Sequence, residues 1–364
     1  MGLAHSATVP LNLFTSNRLK GSLQGWKRGQ GYRWHQFKMR HVHWTVTSKT
    51  IGGGFVANGN WRAVTHFARN FLGSPSDLVI KRGWHGRLTL EMLRQQAARY
   101  GLVVSANAVF PPTLRSIAVS WPELLGVEAD VSKGLDACRH ALGSSALRDM
   151  RRIRSERYFM KVQPAGPVFD EFYHRYYSPS MRKRHGGDAY LYSLKEERAK
   201  LGPNDVFVEV HATEGCLAKV VVCEEEDGIR LSRLGWLDGR DDVYRRTVLS
   251  ALYWYSLCHA TVEGHPRLNY GAVTPYLEDG LFVYKEKWLG RLSWSKSFHD
   301  AWRVVADPSH PITRQFFDHK SLLIKNEVTR RFDVISNRAR EEVASAQVES
   351  DHLGEWLSPH QVWR

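Results

Sequence analysis

Two hydrophobic periods run along this chain of 364 residues and change places repeatedly. A period of two marks a half-buried strand, and one of three to four an amphipathic helix. Residues 36–50 alternate through Phe37, Met39, Val42, Trp44 and Val46 and predict a strand. Gly52, Gly53 and Gly54 follow as a turn. Asn60 to Leu72 carries Trp61, Val64, Phe67, Ala68 and Phe71 at helical spacing. Leu78 to Ile80 is a short strand. Thr89 to Tyr100 is an amphipathic helix that Gly101 stops. Residues 103–120 read as extended segments broken at Pro111 and Pro112.

Asp130 to Arg157 predicts helix with a break near Gly143, and its second part is crowded with arginine: Arg148, Arg151, Arg152 and Arg154. Phe159 to Val162 is strand-like. Val168 to Met181 is helical, with Phe169, Phe172, Tyr173, Tyr176 and Tyr177 in a stripe that suits a helix core or a substrate wall. Tyr190 to Leu201 reads as helix. Val206 to His211, Cys216 to Cys223 and Ile229 to Leu237 are strands, the last two joined by a turn at Asp227-Gly228. Asp242 to Glu263 predicts one long helix ended by Gly264, and Arg267 to Val273 a strand. Residues 312–324 and 326–340 read as helices.

Composition bounds the class. Hydrophobic residues make up 43% and charged residues 24%, which excludes a disordered chain. The length suits two domains. A formal net charge of +14 fits equally an anionic partner (a phosphate-bearing cofactor, a nucleic acid or an anionic membrane surface) and a soluble enzyme whose surface is simply basic. The four cysteines are widely spaced without a C-x-x-C pair, so neither a disulfide scaffold nor a zinc knuckle is expected. His41 and His43 have no matching ligands nearby, and no metal is expected. Residues 1–14 have no basic segment leading into an apolar core, and no apolar run spans a bilayer. The expected location is cytoplasmic.

Chemistry concentrates where the third strand of the hairpin set meets the long helix. Free backbone N–H groups and the dipole at a helix start favour phosphate. Leu237, Gly239, Arg240, Tyr244, Arg245, Arg246 and Thr247 supply a turn and three guanidinium groups there. Asp241 and Asp242 fit helix capping instead, because they place negative charge at the same point. Glu209 and His211, two apart on a strand, share a face, either toward the sheet centre or toward solvent. No G-x-S-x-G, H-E-x-x-H or G-x-x-x-x-G-K-[ST] motif occurs.

Asn269-Tyr270-Gly271, the Asp279-Gly280 turn and Tyr284-Lys285-Glu286-Lys287-Trp288 close the pattern. With the three strands, turn, helix and strand before them, they resemble the GNAT acetyltransferase superfamily, in its Fem-like and polysaccharide-associated branch. The resemblance covers roughly residues 145–295, although the glycine-rich phosphate turn of that family is absent. It implies an α/β (α+β) fold of tandem GNAT-like modules, each a mixed, mostly antiparallel twisted sheet flanked by helices. The expected division is a first module over 1–145, an acyltransferase module over 146–305 and a helical extension over 306–364. It further implies an N-acyltransferase that moves an acetyl or other acyl group from acetyl-CoA (acyl-CoA) to a small-molecule or peptide amine acceptor. Glu209, His211, Tyr270 and Tyr284 are the acid-base candidates. Asn269 and Lys285 join the cofactor set above, while Tyr173, Tyr177, Asp279 and Lys287 are substrate candidates. Two alternatives stay open: a Fem-like transferase using aminoacyl-tRNA, and a non-catalytic nucleic-acid-binding protein. Oligomeric state is not legible.

Overall fold

The computed structural model describes residues 42–335 except 59–60, 74–76, 85–88, 107–109, 187–190, 294–301 and 327–330. The first strands are β1 (Val42–Ser48), β2 (Gly53–Asn58), β3 (Leu78–Trp84), β4 (Gly101–Ala106) and β5 (Val119–Trp121). Between them lie α1 (Trp61–Phe71) and α2 (Leu90–Tyr100). The Thr89 hydroxyl caps α2 by accepting from the Met92 N–H, 3.2 Å. Residues 36–41 of the first predicted strand lie outside the described residues.

The chain continues through β6 (Leu125–Asp130), α3 (Leu135–Ala141), α4 (Ser144–Ser155) and β7 (Phe159–Pro164). A helical stretch follows: α5 (Ala165–Glu171), a π-helical turn at Phe172–Tyr177, and α6 (Ser178–His185). Then come α7 (Leu194–Arg198), β8 (Val206–Ala212), β9 (Gly215–Glu225), β10 (Gly228–Trp236), α8 (Asp241–Arg245), α9 (Val248–Val262), β11 (Arg267–Val273), α10 (Gly280–Glu286) and β12 (Arg291–Ser293). Last are β13 (Trp302–Ala306), α11 (Pro311–His319), β14 (Leu322–Asn326) and β15 (Arg331–Ile335).

Two compact units result: Met1–Leu125 with Thr274–Asp279 and Ser297–Arg364, and Gly126–Val273 with Gly280–Lys296. The main division thus falls at residues 125/126 and not at 145/146, because β6 pairs with β12 and joins the second sheet. The chain after 296 returns to the first unit, where β13 lies between β4 and β5. The helix expected over 312–324 is found as α11 but stops at His319, and β14 and β15 pair antiparallel where helix was expected, with 327–330 and 336–340 outside the described residues. The apolar run Leu322-Leu323-Ile324 is short enough for a strand, and its helical spacing was incidental.

The first unit holds a six-stranded sheet in the order β3-β1-β2-β4-β13-β5, with β2 and β4 parallel. Phe55, Phe67, Trp121, Trp302 and Phe316 fill its larger core, with the Phe67 ring edge-on to Trp121 at 5.1 Å. The second unit holds a seven-stranded sheet in the order β12-β6-β11-β10-β9-β8-β7. α9 covers one face of β8, β9 and β10. On the other face, α5 and the π turn bring Phe169, Phe172, Tyr176 and Tyr177 against Phe207 and Val221. The aromatic stripe is therefore core.

Candidate functional site

β10 and β11 run parallel but pair only at Ile229–Leu268 and Arg230–Asn269. Two local features drive them apart. β10 carries a bulge between Leu231 and Leu234. β11 turns at Gly271, whose φ of +76° suits glycine and whose N–H donates to Asn269 Oδ1, 2.8 Å, within its own strand. The divergence leaves the later parts of two neighbouring strands without mutual ladder bonds, and an extended amide-bearing ligand could pair there.

The turn after β10 departs from expectation. The predicted helix over 242–263 is two helices, α8 and α9, separated by Thr247 at φ 65°. The arginines are also unequal. Arg240 pairs with Asp242 (Nη2–Oδ2 2.5 Å) in full exposure. Arg246 bonds Glu214 and Glu156, the latter at 2.9 Å, and these bonds raise its guanidinium still further above the ordinary range. Arg245 is exposed beside them. Leu237 and buried Gly239 shape the turn, and the half-exposed Tyr244 ring lies 5.0 Å from Trp236.

At the first turn of α9 a network gathers four residues, Ser250 and Asp149 buried and Tyr284 and Lys287 partly so. Ser250 Oγ donates to Asp149 Oδ2 at 2.5 Å, and Lys287 Nζ bonds the same oxygen. With that hydroxyl proton used, the 2.9 Å contact between Ser250 and Tyr284 is donated by the tyrosine. Burial pushes the Tyr284 hydroxyl up to about 12, so it holds its proton at neutral pH. The Lys287 ammonium lies 5.6 Å over the Tyr284 ring.

A second network sits on β8 and β9, facing α5 and the π turn. Glu209 accepts from Gln163 (2.5 Å), His211 Nε2 (2.7 Å) and Lys219 Nζ (2.8 Å) and is only 2% exposed. Burial would raise its carboxyl, but bonds from His211, Lys219 and Gln163 outweigh this and hold it below the usual carboxylate range. Glu209 and His211 are thus brought together as the spacing implied, toward the protein and not toward solvent. With its oxygens engaged, Glu209 is a poor general base.

The other candidates scatter. Tyr270 is buried and donates to the Trp288 carbonyl, 2.6 Å. Asn269 is buried and its Nδ2 donates to Glu225 Oε2, 3.0 Å. Lys285 is buried and bonds the Ala272 carbonyl, 2.8 Å. Asp279 belongs to the first unit and accepts from the Thr274 N–H, 2.9 Å. Tyr173 donates to the Tyr192 carbonyl, 2.7 Å, and its ring lies 6.1 Å from Tyr177. Sequence reasoning missed Asp149, Ser250 and Lys219. Lys219 had a signal, a lone charge inside Leu217-Ala218-Lys219-Val220-Val221; Asp149 had none, since its partner Lys287 is far along the chain.

No family model matches the chain, and no curated protein matches it. Solved structures overlap it distantly. L-PGS from Bacillus licheniformis is 10% identical over 87% of this chain and 97% of its own, with a TM-score of 0.36. FemX is 9% identical over 70% and 81%, TM-score 0.37. A tandem GNAT protein from the clavulanic acid biosynthesis pathway is 12% identical over 70% and 74%, TM-score 0.29. Likeness at that level carries no functional weight. The GNAT-like reading of the fold stands on this chain's own features: two mixed sheets flanked by helices, and in the second unit an antiparallel run, a splayed parallel pair and a helix between them.

Proposed function

We propose that the second unit is an N-acyltransferase that moves an acyl group from acyl-CoA, acetyl-CoA in the simplest case, to a primary amine. The divergence of β10 and β11 is the observation that carries this reading. The pantetheine arm of acyl-CoA contains two amides and can hydrogen-bond to strand edges that no longer bond each other. Arg245, exposed at the end of α8, meets the pyrophosphate. The neutral amine attacks the thioester carbonyl, the C–S bond breaks, and the departing thiolate takes a proton. Tyr284 donates it, the Lys287 ammonium over its ring stabilises the phenolate, and the proton that the attacking nitrogen sheds on becoming an amide returns to that phenolate through water. Most of the rate enhancement then comes from positioning. The acceptor is a small-molecule or peptide amine, and four free cysteines suit a reducing, cytoplasmic setting.

Equilibrium binding of acetyl-CoA tests this. Arg245→Ala should weaken binding about tenfold, as loss of one charge-assisted contact does. A folded protein without saturable acetyl-CoA binding removes the proposal. The exposed face of α4, with Arg148, Arg151, Arg152 and Arg154, favours a second reading in which aminoacyl-tRNA is the donor.

A further inference from the structure

Three groups of metal-ligand type converge at the β8–β9 hairpin, although the sequence marks only two of them, Glu209 and His211, as neighbours. One oxygen of Glu209, one ring nitrogen of His211 and Cys216 Sγ all lie within 4.8 Å of one another. The fold causes this directly. Glu209 and His211 are two apart on β8, and His211 is the cross-strand partner of Cys216, next to a register shift at Val210–His211. Glu209 is buried, while His211 and Cys216 are partly accessible, so an ion and a water have an approach.

We infer that Glu209, His211 and Cys216 bind a divalent ion of the zinc class, in a three-ligand site with one open position. Thiolate, imidazole and carboxylate form a borderline-soft set that suits zinc in a tetrahedral arrangement. The surroundings resemble an outer ligand shell. Gln163 and Lys219 hold Glu209 Oε1 at 2.5 and 2.8 Å, which aims Oε2 at His211. The nearby Lys219 ammonium counts against a cation, but Glu171 Oε2 lies 3.3 Å from it. A divalent ion and Lys219 then face three anions, Glu209, Glu171 and the Cys216 thiolate, and the charges balance. On binding, the thiol gives up its proton to solvent and the His211 proton moves from Nε2 to Nδ1. One proton is therefore released per ion, without oxidation or reduction. The site does not depend on the acyl-transfer reading.

Cobalt(II) and zinc(II) titrations of the full chain, freed of metal by chelation, test the inference. The expected result is one ion per chain, a thiolate-to-cobalt charge-transfer band in the near ultraviolet, and saturable thermal stabilisation. Cys216→Ser should abolish the band and His211→Ala should weaken zinc binding at least tenfold, each with unchanged circular dichroism, while Cys258→Ser leaves both unaltered. If His211→Ala does not fold, Cys216 supplies the decision through its reaction with a thiol reagent, which zinc should suppress. No cobalt band in the wild-type protein, or uptake indifferent to Cys216→Ser, overturns the site.

Discussion

Tyr270 and Tyr284 pack on the same ring, Tyr253, each with centroids 5.2 Å away, yet their hydroxyls differ in what they can do. Tyr270 gives its proton to a backbone carbonyl, while Tyr284 ends a chain of polar side chains. Tyr284→Phe should therefore lower kcat about a hundredfold with little change in KM, within the usual range for a lost general acid. Tyr270→Phe should cost only about 1 kcal/mol of stability. Equal losses of kcat in the two variants would remove Tyr284 from the chemistry. Glu209 makes a pH prediction. Its folded carboxyl lies below the usual range, so its contribution is present above about pH 4.3, the unfolded value, and is lost as pH falls through the folded one. Glu209→Gln should be less stable by about 3 kcal/mol at pH 7, because Lys219 loses a buried partner. Its acid limb in urea unfolding from pH 7 to 3 should also be shallower; an unchanged limb would mean that other carboxylates carry it. At this scale the sequence showed which residues share a strand face. It did not show which face is buried, nor the long-range partners Lys219 and Asp149.

The elements were more legible than their ends. Hydrophobic spacing located α1, α2, α4 and the strands β8 to β11 to within a few residues, because each has a buried face, and it also found β7, an edge strand whose Phe159 and Val162 are exposed. The break inside the predicted helix over 242–263 escaped, since Thr247 carries no local breaker signal and takes a left-handed conformation that β-branched residues disfavour. Thr247→Gly should relieve that strain and, after the entropic cost of glycine, raise stability by about 0.5–1 kcal/mol, seen as a small rise in Tm. A fall in Tm would mean that the Thr247 side chain makes a compensating contact. Gly235 on β10 predicts the opposite sign. A Cβ there would meet the Tyr176 carbonyl oxygen at 2.3 Å, backbone that cannot swing aside. Gly235→Ala should cost about 1–3 kcal/mol by forcing β10 off the π turn, and chemical unfolding checks it.

For the whole molecule, charge is the property the sequence gives most directly, and it separates the two donors. Contacts with one pyrophosphate involve few phosphates, so acetyl-CoA affinity should fall only gently with salt. A donor tRNA lying along the arginines of α4 neutralises many more, and log K then falls with log salt in proportion to the number of contacts. A ligand at a hundred times its Kd stabilises the folded state by about 2.7 kcal/mol, roughly 5–10 °C in Tm for a unit of this size. Thermal unfolding with acetyl-CoA at 50 and 200 mM salt should show that rise with nearly equal size, and bulk tRNA should show at most an effect that vanishes at the higher salt. The α4 variant Arg151→Ala/Arg154→Ala keeps the readings apart, because both side chains are exposed and their loss should leave the fold and acetyl-CoA stabilisation unchanged. If acetyl-CoA gives no shift while tRNA stabilises the protein with a steep salt slope that this variant flattens, the donor is the nucleic acid, and the splayed strands receive an aminoacyl ester in place of a thioester.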